Sequence, residues 1–200
     1  RSEVCGDHVV CAAYSCELER YGVKLGHSNY AAAYCTGLLV ARRLLAKIGA
    51  EKKIDLAGKF QGETNVGAFT YNNANPKDEE DGKKEKDALV CFLDIGLARS
   101  TTGAVVFGAL KGAADGGLFI PYSGQRLAAN YWNKDDDEPA NEQALKDRIY
   151  GKHIADYLKY TMENKGKPGF DTKLKHQFTQ YIKAGVKPGD IEAMYKKAHE

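Results

Sequence analysis

The stretch that most limits how this chain can fold runs from Tyr30 to Ile48, where Tyr34, Leu38, Ala41, Leu45 and Ile48 recur every three or four residues. That spacing gathers them on one stripe of an α-helix, leaves Arg42, Arg43 and Lys47 off it, and demands an apolar partner. Ser28 and Asn29 stand where side-chain oxygens accept from the unpaired N–H groups of a first turn, and Gly49 stands where a left-handed cap would close the last one. Ahead of the helix lies Gly22-Val23-Lys24-Leu25-Gly26-His27-Ser28-Asn29-Tyr30, with two glycines, a lysine, a histidine and short polar residues. Such a loop points N–H donors outward at the positive end of a helix dipole, which suits a phosphate; it also serves as a plain helix entrance.

The rest of the chain predicts partners for this helix. Val9-Val10-Cys11-Ala12-Ala13 is a short apolar run that reads as a strand, and Ala88 to Ile95 is a near-continuous one, as in a strand covered on both faces. Gly96 to Gly103 reads as a loop, followed by a second helix from about Val105 that turns Val106, Leu110, Ala113 and Ala114 to a sheet and stops at Gly116-Gly117. The segment near residues 72–87 is polar and charged and reads as a solvated loop or insertion. From Asn130 to Asn141 an acidic, proline-containing linker surrounds Trp132. Beyond it come short helical patterns: Ile149, Ile154 and Tyr157; Phe178, Tyr181 and Ile182; Ile191, Met194 and Tyr195. They carry too few aliphatics for an independent core and read as an extension held by its surroundings. The expectation is an α/β fold, a mixed sheet with packed helices over residues 1–128 and a linker with a C-terminal helical extension over 129–200.

Composition narrows function. The formal net charge is only +2, with acidic runs at Asp78 to Asp81 and Asp135 to Glu138 offsetting the cations, so any basic surface must be local. No apolar run is long enough to span a bilayer, no secretory pattern opens the chain, and a soluble protein without a membrane partner is expected. The chain begins without methionine, close to a strand-like segment, and reads as lacking an N-terminal piece. Cys5, Cys11, Cys16, Cys35 and Cys91 form no paired-ligand spacing, so the expectation is free thiols in a reducing compartment, with no metal and no cofactor.

Several long words of the sequence carry a resemblance. GVKLGHSNYAAAYCTGLLVARRLL, preceded by VVCAAYSCELERYG and followed by LDIGLARSTTGAVVFGALKGAADGGLFIPYS, then HIADYLKYTMEN, QFTQYIKAGVKP and IEAMYKKAH, closely resembles the family of eukaryotic large-subunit ribosomal protein five, counterpart of bacterial large-subunit protein eighteen. The resemblance implies a non-catalytic constituent of the large ribosomal subunit that binds 5S ribosomal RNA. It also implies large-subunit RNA and neighbouring ribosomal proteins as partners, assembly factors and an import chaperone before incorporation, and residence on cytoplasmic ribosomes after nucleolar assembly. His27-Ser28 stands where the family pattern has an apolar residue and threonine. By the same resemblance, the strongly basic end segments of the family are candidates for what this chain is expected to lack.

The candidate RNA-contacting residues are Lys24, His27, Ser28, Asn29 and Tyr30 in the first loop; Arg99, Ser100, Thr101 and Thr102 before the second helix; Arg126 after the glycine turn; and Lys152 and His153 in an aromatic-basic stretch. Cations suit phosphates, and hydroxyls suit sugar edges. Thr101 or Thr102 equally reads as a helix cap, Tyr157 as a packing residue and Lys111 as a solvated one. The rival reading is a metal-dependent nuclease built on Asp94, Asp7 and Asp115, although no phosphate-loop, dinucleotide or nucleophile-elbow pattern accompanies it. A protein-interaction module on the C-terminal helices is compatible with RNA binding.

Overall fold

A computed structural model describes residues 4, 6–52, 91–130, 141–166, 169 and 176–200. Its helices are α1 (Tyr30–Lys52), α2 (Val105–Asp115), α3 (Glu142–Ile149), α4 (Lys152–Glu163), α5 (Thr179–Lys183) and α6 (Pro188–His199), with 3-10 turns at Ser15–Tyr21, Gly124–Arg126 and Ala128–Asn130. The segment near residues 72–87 and Trp132 lie outside the described residues.

The central helix is buried on two sides. Tyr34, Leu38, Ala41 and Leu45 are buried, as their spacing predicts, and Ala41 and Leu45 pack with Ala113 and Leu118 while Tyr34 packs with Phe107 and Leu110. Ala31, Ala32 and Cys35 form a second buried face, against Leu18, Val23, Ile191 and Tyr195. Gly49 does not cap the helix: α1 runs on through it to Lys52.

α1 and α2 touch backbone to backbone. A methyl group added to Gly112 would lie 2.1 Å from the Tyr34 carbonyl oxygen, one on Gly37 2.0 Å from that of Ala109, and one on Gly108 2.9 Å from that of Tyr30. Gly116 lies against the Ala41 side chain, where an added methyl would come within 2.5 Å of the alanine Cβ. Because Gly108, Gly112 and Gly116 meet Tyr30, Tyr34 and Ala41 in the same order, the two helices run parallel and start at one end. α2 begins at Val105 and gives way to Gly116 and Gly117, at the bounds read from sequence, but its cap residue is Ala104 rather than Thr101 or Thr102. Lys111 is buried, 4% exposed, and pairs with Asp115, which also accepts the Tyr34 hydroxyl at 2.8 Å. The carboxylate one turn later lets a lysine expected in solvent lie inside the interface. Burial raises the Asp115 carboxyl above its ordinary range, with Lys111 and Tyr34 acting in the opposite sense.

The expected mixed sheet is corrected: the described residues hold no sheet. Val9 is 79% exposed, and the Val10 and Ala12 carbonyls accept from Lys47 Nζ and Arg43 Nη1, each at 3.0 Å. Cations on α1 therefore satisfy backbone groups that a neighbouring strand would otherwise bind. The Arg43 guanidinium also grips Glu17, at 2.6 and 3.1 Å, and holds that carboxyl down at about 2, helped by the Tyr14 amide. From the second apolar run, Cys91 N–H donates to the Phe119 carbonyl at 2.8 Å while Phe92 is exposed to solvent. Residues 88–90 lie outside the described part. α2 meets α1 through Gly108, Gly112 and Gly116, which the expected sheet-facing set did not include, and of that set Leu110 and Ala113 lie in cores shared with α1; glycine lets the second helix come closer than side chains permit.

The C-terminal helices join the same cores. Ile191 and Tyr195 of α6 are fully buried beside α1, and Leu145 and Ile149 of α3 pack with Tyr30 and Tyr34. In α4 the buried positions are Leu158 and Thr161, whereas Tyr157 is partly exposed against the Phe178 ring. His199 is 5% exposed between the Tyr34 and Tyr150 rings, with centroids 5.1 and 5.3 Å away, and neither ring nitrogen has a partner among the described residues. Arg42 donates to the His199 carbonyl at 2.7 Å. Burial, then the Arg42 charge, depress the imidazole to about 4.

Two outcomes follow. Gly112→Ala should lower unfolding free energy in urea by about 2–3 kcal/mol, since the clash outweighs the roughly 1 kcal/mol that alanine gains over glycine in a helix. The depressed His199 contributes stability that is fully present above its unfolded value of 6.5 and lost as pH falls towards 4. Stability should therefore drop by about 3 kcal/mol across that window, on the 1.36 kcal/mol-per-unit scale. His199→Phe, which keeps an aromatic ring facing Tyr34, Tyr150, Arg42 and the Lys196 ammonium over Tyr150, should flatten the drop in pH-dependent melts.

Candidate nucleic-acid interface

The loop before α1 is held from within. Asn29 is the cap: its Oδ1 accepts from Ala32 N–H at 2.8 Å, while its Nδ2 donates to the Gly26 carbonyl at 2.6 Å and to the Tyr195 hydroxyl at 2.8 Å. His27 donates from Nε2 to the Val23 carbonyl at 2.9 Å, a staple across the loop that leaves its ring half-buried. Gly26 has φ +80°, and a methyl there would lie 2.0 Å from the Tyr181 hydroxyl, so both conformation and space require glycine. Val23 and Tyr30 are buried. Burial pushes the Tyr30 hydroxyl well above its ordinary range beside the Ala128 backbone, and no hydrogen bond of normal geometry forms there. Lys24 and Ser28 face solvent, and Lys24 has no ion pair among the described residues.

The second loop is stitched to the turn that follows α2. Thr102 Oγ1 donates to the Gln125 carbonyl at 3.3 Å, and Gly103 N–H donates to that of Arg126 at 3.0 Å. Arg99, Ser100, Thr101 and Arg126 are exposed, Thr102 half-buried. Since α1 and α2 are parallel, both loops sit at the shared end where the two helix dipoles are positive.

One tyrosine links the third candidate group to this end. The Tyr195 ring abuts Gly151, where a methyl would come within 2.8 Å, and its hydroxyl reaches Gly26 and Asn29. Gly151 precedes Lys152 and adopts φ +73°. Lys152 is exposed but paired with Asp147 at 3.2 Å, which raises its ammonium. His153 is half-buried, its Nδ1 3.5 Å from the Asp147 carbonyl, and burial lowers its ring. Tyr195 and Tyr181, on α6 and α5, are the supports of this loop that sequence reading misses, because local spacing carries no trace of a partner such as Tyr195, 166 residues away from Asn29.

The carboxylates of the nuclease reading stay apart. Asp115 is committed to Lys111 and Tyr34, and exposed Asp94 accepts from Gly96 N–H at 2.8 Å in a local turn. Among the described residues no three His, Cys, Asp or Glu side chains gather as a metal site would require. Cys35 is buried, Cys11 and Cys91 are half-buried and Cys16 is exposed; these four thiols are free among the described residues, and Cys5 lies outside them. No described helix is long and apolar enough to cross a membrane.

A family model described as "Ribosomal large subunit proteins 60S L5, and 50S L18" matches residues 1–123. The chain belongs to this family. Similar proteins named "Large ribosomal subunit protein uL18" come from Drosophila melanogaster, 47% identical over 195 residues, and Bombyx mori, 47% identical over 199. A third, from Helianthus annuus, is 45% identical over 199 residues. The matches cover 98%, 100% and 100% of this chain, and 58%, 60% and 60% of the relatives. The chain thus spans about three fifths of their length. The family is one of ribosomal proteins, not of enzymes, and both loops at the shared end of α1 and α2 fall inside the matched segment.

Since Asn29 carries the capping bonds and Ser28 faces solvent, the two are separable. Asn29→Ala should cost about 1–2 kcal/mol in chemical denaturation, Ser28→Ala less than about 0.5.

Proposed function

We propose that this protein is a structural constituent of the large ribosomal subunit and that the shared end of α1 and α2 binds the sugar-phosphate backbone of 5S ribosomal RNA. The observation that carries the reading is the parallel helix pair, which sets two glycine- and hydroxyl-bearing loops at the same end of the pair, with Lys24, Arg99 and Arg126 exposed. Family membership supports the ribosomal setting. In this reading the cations neutralise phosphates, the helix starts offer N–H donors, and Ser28, Ser100 and Thr101 meet sugar hydroxyls. Asn29, His27, Tyr30 and Thr102 act by shaping the two loops, and Lys152 divides its charge between Asp147 and the RNA. Binding is by complementarity, without bond making. Large-subunit RNA and neighbouring ribosomal proteins are the further partners, and assembly factors and an import chaperone accompany the protein before incorporation. It works on the cytoplasmic ribosome after nucleolar assembly.

Affinity for 5S RNA, measured by filter binding across a salt series, should fall steeply as salt rises. Lys24→Ala should weaken binding and reduce the log-log slope by about one, with little change in melting. A flat slope in the parent protein would count against a phosphate-dominated interface. Unchanged affinity in Lys24→Ala would leave the loop as a helix entrance only.

A further inference from the structure

We propose that Tyr195 of α6, with Tyr181 of α5 beside it, is a positioning residue for the RNA-binding loop, so that docking of the C-terminal helices sets the affinity of a loop at the other end of the sequence. The inference rests on the RNA reading given above. The Gly26 carbonyl accepts twice, from the Tyr195 hydroxyl at 3.1 Å and from Asn29 Nδ2 at 2.6 Å, and Asn29 Nδ2 also donates to the Tyr195 oxygen at 2.8 Å. These three groups form a closed triangle. A trans peptide is planar, with C=O and N–H opposed, so turning the Gly26 carbonyl inward on Tyr195 aims the His27 N–H away from it. The same Asn29 side chain caps α1 through Ala32 N–H, which ties the aim of the loop to the start of the helix.

Tyr195 is itself held. Its side chain is fully buried, its ring edge sits against Gly151, and Ile191 is buried one turn earlier on the same face of α6. Tyr181 closes over the other side of Gly26, leaving no room there for a side chain. An element with no cation in the loop thereby fixes how the loop presents its donors.

Tyr195→Phe removes the hydroxyl and keeps the ring that packs α6. A net hydrogen bond of this kind corresponds to about two- to tenfold in an equilibrium constant. Kd for 5S RNA across a salt series, taken well below the melting transition, should rise by about that factor in Tyr195→Phe with the salt slope unchanged. Lys24→Ala, by contrast, lowers the slope. In the double variant the loss should fall short of the product of the two single losses, because both act on one loop. Amide exchange at residues 27–30 should also quicken in Tyr195→Phe by about the same factor. A Tyr195→Phe protein that binds as tightly as the parent while Lys24→Ala binds weakly overturns the positioning role, and so do losses that multiply. If Lys24→Ala binds as the parent does, the RNA reading of the loop fails, and the inference fails with it.

Discussion

The close approach of α1 and α2 is the constraint on which the other contacts depend. With carbonyl oxygens about a methyl group's reach from Gly37 and Gly112, the helix axes come nearer than any pair of side chains would allow. Dispersion and weak Cα–H···O contacts accumulate along such a seam without the rotamer entropy that long side chains lose. The register it enforces carries Lys111, Asp115 and Tyr34 into the interior together, where each satisfies another. It also fixes the parallel sense of the pair. Like-oriented dipoles repel modestly side by side, and in return both positive ends face the same solvent region.

Cations in this chain divide by what they meet. Lys111 is neutralised inside, Arg42 binds the His199 carbonyl, and Arg43 and Lys47 hold the segment from Val10 to Glu17 against α1. These groups are engaged by the fold. Lys24, Arg99 and Arg126 stand at the shared helix start, exposed to solvent. A net charge of +2 is therefore a poor measure of the local field, since part of the positive charge is paired internally.

The main helices were legible from sequence because periodicity and caps are local properties. Tyr34, Leu38, Ala41 and Leu45 mark a core stripe at sight, and Gly116-Gly117 marks the end of α2. Strand assignments failed where a short apolar run cannot by itself disclose its partner: the Val10 and Ala12 carbonyls bind side chains from α1, a tertiary fact with no local signature. Lys111 reads as solvated when the lysine is taken alone rather than with the carboxylate of Asp115 four residues on. Gly49 looked like a cap because glycine in a helix interior is costly, yet packing can offset that cost. For the candidate site, the two loops were recognisable as helix entrances. That they share one end follows from helix packing, and that Gly26 leans on Tyr195 follows from the course of the chain as a whole.

The bond between Tyr195 and Gly26 joins residues 169 positions apart. At the pace of protein synthesis, roughly 5–20 residues per second, the loop leaves the exit tunnel on the order of ten to thirty seconds before the tyrosine that completes it. Throughout that interval a nascent chain carries α1 with its first turn capped only by its own Asn29. Closure of the hydrogen bonds around the Gly26 carbonyl thus waits on the synthesis of α6, and a product truncated before α6 would display the same loop residues without the Tyr195 bond.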